Sequence, residues 1–334
     1  MEKKVSIKDI ASHLGVSTAL VSYVLNNKKD RVSPEMTAKI RKAAEELNYR
    51  PNLIARSLKS GRTNTLGLIV ADISNPFFSH IARIIEEKAE QSGYTVIFGS
   101  NDESVEKSRT LIDALLNRQV DALIIAPAEG TEGQIRALQE KNVPFVLIDR
   151  YFSDIVADHV HIDNYKAAYA AVALLAQSGR ERIAMLTYAT GMQHMAERKR
   201  GYLDALKDHH IHFREEWIVQ ANYNNLDNEV PVVMQALLED RKVDAFFFAT
   251  NTLAVQGMRQ VMKKKVKVPE DLSIVTFDET EAFEFFYAPI PFVRQSLEEI
   301  GSEAVKLALE NIAKNRSGQK KVIADHTLKN SYYE

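Results

Sequence analysis

Five polar side chains stand out in this 334-residue chain, because most of them follow strand-like apolar segments. They are Asp149, Arg150, Arg198, Tyr223 and Asp278. A carboxylate accepts hydrogen bonds from hydroxyl groups, and a guanidinium donates hydrogen bonds through a rigid fork. This chemistry suits a small polar ligand with vicinal hydroxyls or a carboxylate. On residue pattern alone, a solvated charge at a strand end is the simpler interpretation of each side chain.

The connection after the first strand-like segment carries Asp72, Phe77 and Phe78 instead of a glycine-rich phosphate loop. The two rings could stack on a sugar, although their spacing favours core packing. The sequence contains neither GxGxxG nor GxxxxGK[ST], and neither HExxH nor GxSxG, so the commonest nucleotide-hydrolysis and hydrolase signatures are missing. An acid or base role for Asp149 or Asp278 in a sugar-modifying enzyme remains an alternative, because a sequence does not show how far apart two catalytic groups lie.

The chain has no cysteine, which excludes disulfides, thiolate zinc sites and cysteine nucleophiles. His209, His210 and His212 could suggest a metal site, but a solvated helix end is the preferred interpretation. We therefore predict neither a metal nor a cofactor. The first residues lack an apolar leader and no long apolar stretch follows, which predicts a cytoplasmic, nucleoid-associated protein without a membrane segment.

Apolar, β-branched runs alternate with amphipathic segments through most of the chain. One set begins at residues 66, 95, 122 and 145, and a second set begins at residues 182, 218, 245 and 273. Such alternation predicts right-handed βαβ units and two doubly wound parallel sheets. Ligands bind beyond the carboxyl ends of such strands, so the predicted site is a cleft between the two sheets.

The first 50 residues predict three short helices. Ser6 can cap a helix whose apolar face includes Ile10, and Gly15 suits the tight turn that ends it. Ser17 can cap a second helix, and Ser33 followed by proline can begin a third. This pattern favours a helix-turn-helix DNA reader, with a generic helical bundle as the alternative.

The charge of the chain is divided unevenly. The net charge of the whole chain is −2, but residues 1–62 contain 13 basic and six acidic residues, which gives +7. The remaining residues therefore carry a net −9. A cationic head before an anionic body is typical of a nucleic-acid-binding module joined to another domain, although a solvated basic helix face would give the same count.

Residues 51–62 leave room for about two helical turns between Pro51 and Gly61. So short a helix is marginal in water, and we expect order there only with outside support. A plain linker is the alternative.

Five segments carry a family resemblance. They are residues 5–25 (VSIKDIASHLGVSTALVSYVL), 31–35 (RVSPE), 44–55 (AEELNYRPNLIA), 66–78 (LGLIVADISNPFF) and 268–278 (VPEDLSIVTFD). In this order they resemble the lac-repressor (LacI/GalR) family of bacterial transcription regulators over essentially the whole chain. The resemblance implies an α/β protein: an N-terminal all-α helix-turn-helix head with a hinge helix, then a periplasmic-binding-protein-like core of two doubly wound parallel-sheet subdomains.

The resemblance also predicts the domain boundaries. The predicted parts are the helix-turn-helix DNA-binding domain (1–50), the hinge helix or linker (51–62) and the effector-binding core (63–334). Within the core, the first subdomain comprises about residues 63–162 and 293–322, and the second comprises about 163–292 and 323–334. Residues 294–297 are therefore expected to return the chain to the first subdomain.

Family resemblance implies that Arg198 and Asp278 contact the effector and that Phe77 or Phe78 overhangs it. The predicted effector-binding residues are Asp72, Phe77, Phe78, Asp149, Arg150, Arg198, Tyr223, Asn251 and Asp278. Relatives usually have Ala-Asn-Asp where this chain has Ala249-Thr250-Asn251, so an amide replaces an expected carboxylate. The predicted effector is a sugar or sugar derivative.

On the DNA side, the resemblance implies base contacts from the second helix and phosphate contacts from its flanks. The predicted DNA-binding residues are Ser6, Ser17, Thr18, Ala19, Ser22, Tyr23, Asn26, Asn52, Ala55 and Leu58. Many relatives have Arg at the position of Tyr23, and a tyrosine cannot read guanine bidentately. Leu58 matches a hinge leucine that wedges into the minor groove and kinks the duplex.

Taken together, the sequence predicts a repressor of carbohydrate-metabolism genes that binds double-stranded operator DNA as a homodimer and is not an enzyme. A sugar-binding transport protein would share the core, but it would need a leader and would not carry residues 1–62. No leucine heptads follow residue 328, which argues against a tetramer.

Overall fold

The computed structural model describes residues 5–25, 32–49, 61–239, 242–316 and 318–330. The chain divides into two compact units, residues 1–63 (the head) and 64–334 (the core).

Three helices form the described part of the head, and local capping explains their bounds. They are α1 (Ile7–Leu14), α2 (Thr18–Leu25) and α3 (Pro34–Glu46). The backbone N–H and the hydroxyl of Ser6 donate to Asp9 Oδ2 at 2.7 and 2.6 Å, so the first turn is capped. Gly15 ends α1 with a φ of 64°, the left-handed conformation that glycine adopts at little cost. The predicted helix starts and the turn at Gly15 are confirmed.

The head has a small core of its own. Ile10, Val21 and Ile40, one from each helix, are fully buried and lie in one apolar cluster. Leu20 of α2 is half-buried at the edge of that cluster. The face of α2 that carries Thr18 and Ala19 stays exposed.

The first subdomain of the core is built on a six-stranded, fully parallel sheet. Its strands are β1 (Thr65–Val70), β2 (Thr95–Ser100), β3 (Ala122–Ile125), β4 (Phe145–Ile148), β5 (His159–Ile162) and β11 (Lys321–Ala324), in the order β11-β5-β4-β3-β1-β2. Its helices are α4 (Pro76–Gln91), α5 (Val105–Asn117), α6 (Glu132–Glu140) and α11 (Leu297–Lys314). All four residues of β3 and β4 are buried, as expected for strands covered on both faces.

The second subdomain repeats this plan with one antiparallel edge. Its strands are β6 (Ile183–Tyr188), β7 (Ile218–Ala221), β8 (Ala245–Phe248), β9 (Ser273–Phe277), β10 (Phe292–Gln295) and β12 (His326–Lys329), in the order β12-β10-β9-β8-β6-β7. Its helices are α7 (Asn164–Gln177), α8 (Gln193–Asp208), α9 (Leu226–Leu238) and α10 (Asn251–Lys263). Only β12 runs antiparallel to its neighbour, β10.

The strand order shows that the chain crosses between the subdomains later in the sequence than expected. Residues 294–297 were expected to return the chain to the first sheet, but β10 lies in the second sheet, where Phe292 pairs with Thr276. The return therefore comes after Gln295. Likewise β11 lies in the first sheet as far as Ala324, so the last crossing follows residue 324 and not 322. Backbone pairing of these short strands, which the apolar pattern does not show, sets both bounds.

No helix within the described part of the chain has the length and apolar character needed to cross a membrane.

Candidate functional sites: a polar cleft and an exposed helix face

Two aspartates occupy equivalent places at the ends of the fourth strands of the two sheets. Asp149 follows β4 with a φ of 64°, and Asp278 follows β9 with a φ of 66°. Both side chains are almost fully buried. A left-handed backbone is uncommon for a residue other than glycine, and at each aspartate it ends the extended conformation of the strand.

Arg198 is the most deeply buried charge of the cleft, at 2 % exposure. Its Nε donates to Asn164 Oδ1 at 2.9 Å and its Nη1 donates to the carbonyl of Ala249 at 2.7 Å. The guanidinium carbon lies 3.5 Å from the ring centroid of Phe277. Burial lowers the pKa of Arg198, and the negative charge of Asp278 opposes that effect. The side chain is thus a fixed hydrogen-bond donor, and the negative charge of Asp278 helps to stabilise its positive charge.

Asp278 has an unusual acidity. Burial raises its pKa from 3.8 to about 6, although Arg198 and a hydrogen bond from Gln295 work in the opposite direction. Gln295 Nε2 donates to Asp278 Oδ1 at 2.6 Å. Asp278 therefore lies close to its protonation equilibrium at neutral pH, and a ligand hydroxyl that donates to it would favour the charged form.

Arg150 provides the second guanidinium of the cleft. It lies 2.7 Å from Glu103 Oε1 and 3.2 Å from Asp149 Oδ2. Burial acts against its charge, but Glu103 and Asp149 outweigh burial and raise its pKa. Phe78 lies beneath it, with the ring centroid 5.7 Å from the guanidinium carbon.

Direct contacts join the two subdomains across the cleft. Tyr223 donates to Asp72 Oδ2 at 2.6 Å, and burial together with that bond raises the tyrosine pKa. Glu129 accepts from the hydroxyl of Thr190 and from the backbone N–H of Gly191, both at 2.8 Å. Asp72 and Tyr223, each predicted as an effector contact, are therefore brought together.

Three other residues that were predicted to contact the effector contact other side chains of the protein. Phe77 and Phe78 are buried and meet edge to face, with their centroids 4.9 Å apart, as their spacing suggested for core residues. Asn251 reaches the cleft, but its amide is engaged by Asn75 of the first subdomain. Contact of any of these residues with a ligand stays a prediction.

Sequence reasoning missed His194 and Tyr188. His194 is 4 % exposed, its Nδ1 has no hydrogen-bond partner, and it lies one helical turn before Arg198 on the same face of α8. Burial, followed by the charges of Arg150 and Arg198, lowers its pKa. Tyr188 ends β6 and packs edge to face on Tyr223, with centroids 5.6 Å apart. The one-turn spacing from Arg198 was the signal that could have identified His194.

Three histidines that are buried or half-buried lead us to expect a pH dependence of stability. Burial lowers the pKa values of His159, His161 and His194, so their neutral forms stabilise the fold above pH 6.5. That contribution is lost as pH falls below 6.5, by about 1.4 kcal/mol per pH unit for each histidine that remains neutral in the fold.

Urea unfolding of the wild type and of His194→Gln between pH 7.5 and 5 tests this prediction. The glutamine variant should lose less stability than the wild type, and the contribution of Asp278 cancels in the comparison. His210→Gln, at an exposed position, is the control. Parallel curves for the wild type and His194→Gln would contradict the prediction.

His209 lies at the end of α8, which confirms the expected helix end. Among the described residues, no group of three or more His, Cys, Asp or Glu side chains is arranged to hold a metal ion. The absence of a metal stays a prediction.

The second candidate site is the start of α2 in the head. Ser17, Thr18 and Ala19 are exposed, and Ser22 and Tyr23 are half-buried. Ser17 Oγ accepts from the backbone N–H of Leu20 at 3.2 Å and so caps the helix. Ser6 is exposed at the start of α1. The other predicted DNA contacts lie outside the described residues, namely Asn26, Asn52, Ala55 and Leu58.

A helix-turn-helix head followed by two doubly wound sheets, parallel except for β12, defines the class of a regulator with a ligand-binding core. Two family models match the chain: "Bacterial regulatory proteins, lacI family" over residues 6–52, and "Periplasmic binding proteins and sugar binding domain of LacI family" over residues 63–332.

Similar proteins agree with these matches. Catabolite control protein A of Priestia megaterium is 34% identical, over 91% of each chain. The HTH-type transcriptional repressor PurR of Vibrio atlanticus (strain LGP32) is 32% identical, over 96% of each chain. The structure of the lac repressor dimer bound to operator and the anti-inducer ONPF aligns over 98% of each chain with a TM-score of 0.83 at 22% identity, which shows a shared fold.

The chain belongs to the LacI/GalR family of bacterial transcription regulators. It is a DNA-binding transcriptional regulator with a ligand-binding core, and it is not an enzyme.

Proposed function

We propose that this regulator is a repressor of carbohydrate-metabolism genes whose operator affinity is controlled by a sugar or sugar derivative bound between the core subdomains. The observation that carries the proposal is the convergence of Arg198, Asp278, Arg150 and Asp149 in one buried polar cleft. Guanidinium forks and carboxylates in alternation suit a ligand with several hydroxyl groups and one acidic group. The description of the matching family model as a sugar-binding domain supports the same ligand class.

The proposed roles follow the domain boundaries given above. Residues 1–50 bind DNA, residues 51–62 form the hinge helix, and residues 63–334 sense the effector. The residues predicted for DNA contact keep those roles in the proposal. The predicted effector contacts also keep theirs, except Asn251, whose amide is already engaged by Asn75. The chain works as a homodimer at the nucleoid, since two heads reading two half-sites double the contacts that one small head can make.

The proposed mechanism links the cleft to the hinge. Effector binding changes the population of the closed core, which alters the spacing of the paired hinge helices and so their order on DNA. Ligand and operator are then coupled reciprocally, typically by about 1–3 kcal/mol. Leu58 inserts into the central step of the operator in the repressing state.

A test of the proposed function first requires the effector and the operator to be identified. A thermal-shift screen of sugars and sugar acids identifies the effector, and selection from random duplex DNA identifies the operator. Anisotropy titrations should then show an operator affinity that changes about 5- to 150-fold with effector. An operator affinity that does not change with effector would contradict the regulatory scheme. Failure to select any duplex would contradict the DNA-binding role.

Leu58→Ala tests the hinge separately. The substitution should lower the affinity for the selected operator and have little effect on binding to random duplex, because only the specific complex needs the kinked central step. Thermal melting of the variant checks that the core remains folded. Full operator affinity in a folded Leu58→Ala variant would remove the wedge role.

A further inference from the structure

The contact between Asn75 and Asn251 differs from the other contacts between the subdomains, because only one residue type at position 251 can form all of its hydrogen bonds. Asn75 belongs to the loop after β1, and Asn251 begins α10 in the other subdomain. Asn75 Nδ2 donates to Asn251 Oδ1 at 3.2 Å, and Asn251 Nδ2 donates back to Asn75 Oδ1 at 3.1 Å. The two amides therefore form a reciprocal pair between the subdomains, with Asn251 only 2 % exposed.

Neighbouring groups determine the orientation of both amides. Asn75 Oδ1 accepts from the backbone N–H of Phe77 at 3.0 Å, because Asn75 caps α4. Its Nδ2 must then point away from the helix, towards Asn251. On the other side, Asn251 Nδ2 also donates to the carbonyl of Glu279 at 3.3 Å, which fixes the second amide. Neither amide can flip without losing a bond to its own subdomain.

Position 251 consequently needs a donor and an acceptor on one short side chain. An aspartate could accept from Asn75, but it could not donate to Asn75 Oδ1 or to the carbonyl of Glu279. Its second oxygen would face those two acceptors in a nearly dry environment, which is costly. Asparagine is the only short side chain that satisfies all these partners.

We propose that Asn251 and Asn75 form an amide clasp that holds the core closed, so that Asn251 is a positioning residue and not an effector contact. The clasp sets the fraction of closed core, and the apparent affinity of any ligand that needs the closed cleft scales with that fraction. Because Asn75 also caps α4, the clasp ties closure to the start of a first-subdomain helix. This regulatory meaning rests on the proposed function, whereas the clasp itself does not.

The experiment measures closure without DNA or effector. The chain contains no cysteine, so Glu140→Cys and Arg259→Cys, at exposed sites in the first and second subdomains, allow specific spin labelling of full-length protein. Double electron–electron resonance then reports the distance between subdomains. Asn75→Ser keeps a good helix cap but removes the donor to Asn251, and Asn251→Ser removes the reciprocal donor. Asn228→Ser, at an exposed site, is the matched control.

Each serine variant should lower the ratio of closed to open core by about tenfold, as expected for loss of one or two hydrogen bonds. The double variant should be no more open than Asn75→Ser alone, since that variant already loses the whole pair and the bond from Asn75 Nδ2 to Thr252 Oγ1 at 3.4 Å. Unchanged distances in Asn75→Ser and Asn251→Ser, or strictly additive effects, would overturn the clasp. A lower melting temperature with unchanged distances would assign Asn251 a structural role instead. If Asn251→Ser does not fold, Asn75→Ser alone decides.

The outcome is separable from the proposed function. A protein that selects no operator would refute the regulator and leave the distance measurement valid. A regulator with normal operator binding and unchanged distances would retain its function and refute the clasp.

Discussion

Asp278→Asn is expected to stabilise the core at pH 8 and to weaken its response to the effector. The pKa of Asp278 is raised from 3.8 to about 6 by burial, so ionisation of this group costs folding free energy. About two pKa units correspond to about 3 kcal/mol, which is an upper estimate for the gain on neutralisation. The asparagine can still accept the hydrogen bond from Gln295 that Asp278 accepts at 2.6 Å.

The sign of this effect fixes its pH dependence. Since the folded-state pKa lies above the ordinary value, the penalty is absent below about pH 3.8, grows between pH 4 and 6, and is complete above pH 6. Urea unfolding at pH 8, 6 and 4.5 should therefore show a gain from Asp278→Asn that shrinks as pH falls. The loss of a charged acceptor should weaken effector binding by about tenfold or more.

Asp149→Asn is the matched control, since Asp149 has the same left-handed conformation at the end of the equivalent strand. That substitution removes one of the two ion-pair partners of Arg150 and should destabilise the core. A loss of stability at pH 8 in Asp278→Asn would show that the attraction between Asp278 and Arg198 outweighs burial, contrary to the raised pKa. Asp278 would then stabilise the fold in addition to the role in ligand sensing that we assign to it.

Arg198→Ala is expected to have the largest destabilising effect in the cleft. The change leaves Asn164 Oδ1 and the carbonyl of Ala249 without their Arg198 donors, and it removes the positive charge that lowers the pKa of Asp278. Removing one partner from a buried charge pair typically costs about 3–5 kcal/mol. Chemical denaturation of full-length protein measures this loss, and circular dichroism checks that a folded state remains.

Two further variants separate charge from hydrogen bonding. Arg198→Lys keeps the positive charge but loses the fork, so it should recover only part of the stability. Arg198→Ala combined with Asp278→Asn should be more stable than the sum of the two single effects predicts, because no unpaired carboxylate is left in the cleft. Simple additivity of the two changes would mean that Arg198 and Asp278 do not interact.

Local signals explain which parts of the fold the sequence predicts well. The first helix, Ile7–Leu14, has its predicted bounds, since Ser6 and Gly15 act through short-range capping and turn chemistry. The inner strands β3 and β4 form apolar runs because helices cover both faces of the sheet. The edge strands β11 and β12 escaped prediction because they are four residues long and partly exposed, and because three of the four residues of β12 are polar.

Local rules likewise predict some residues of the cleft, whereas the contacts of others depend on the folded chain. Rules about strand ends suffice to select Asp149 and Asp278, since those rules depend only on neighbouring residues. The partner of Asn251 lies 176 positions away, and only the folded chain brings Asn75 to it. The same limit applies to the unpartnered Nδ1 of His194, since no local pattern shows what surrounds a side chain after folding.

The three crossings between the two sheets restrict how the core can move. One crossing follows β5, one follows β10 and one follows β11. Three backbone tethers side by side allow rotation about a common axis but oppose sliding and shearing of the halves. A core connected in this way has essentially one degree of freedom, so ligands of different shape can differ in how far they close it but hardly in the direction of closure. We therefore expect the angle between the two subdomains to be the one conformational variable that changes when a ligand binds.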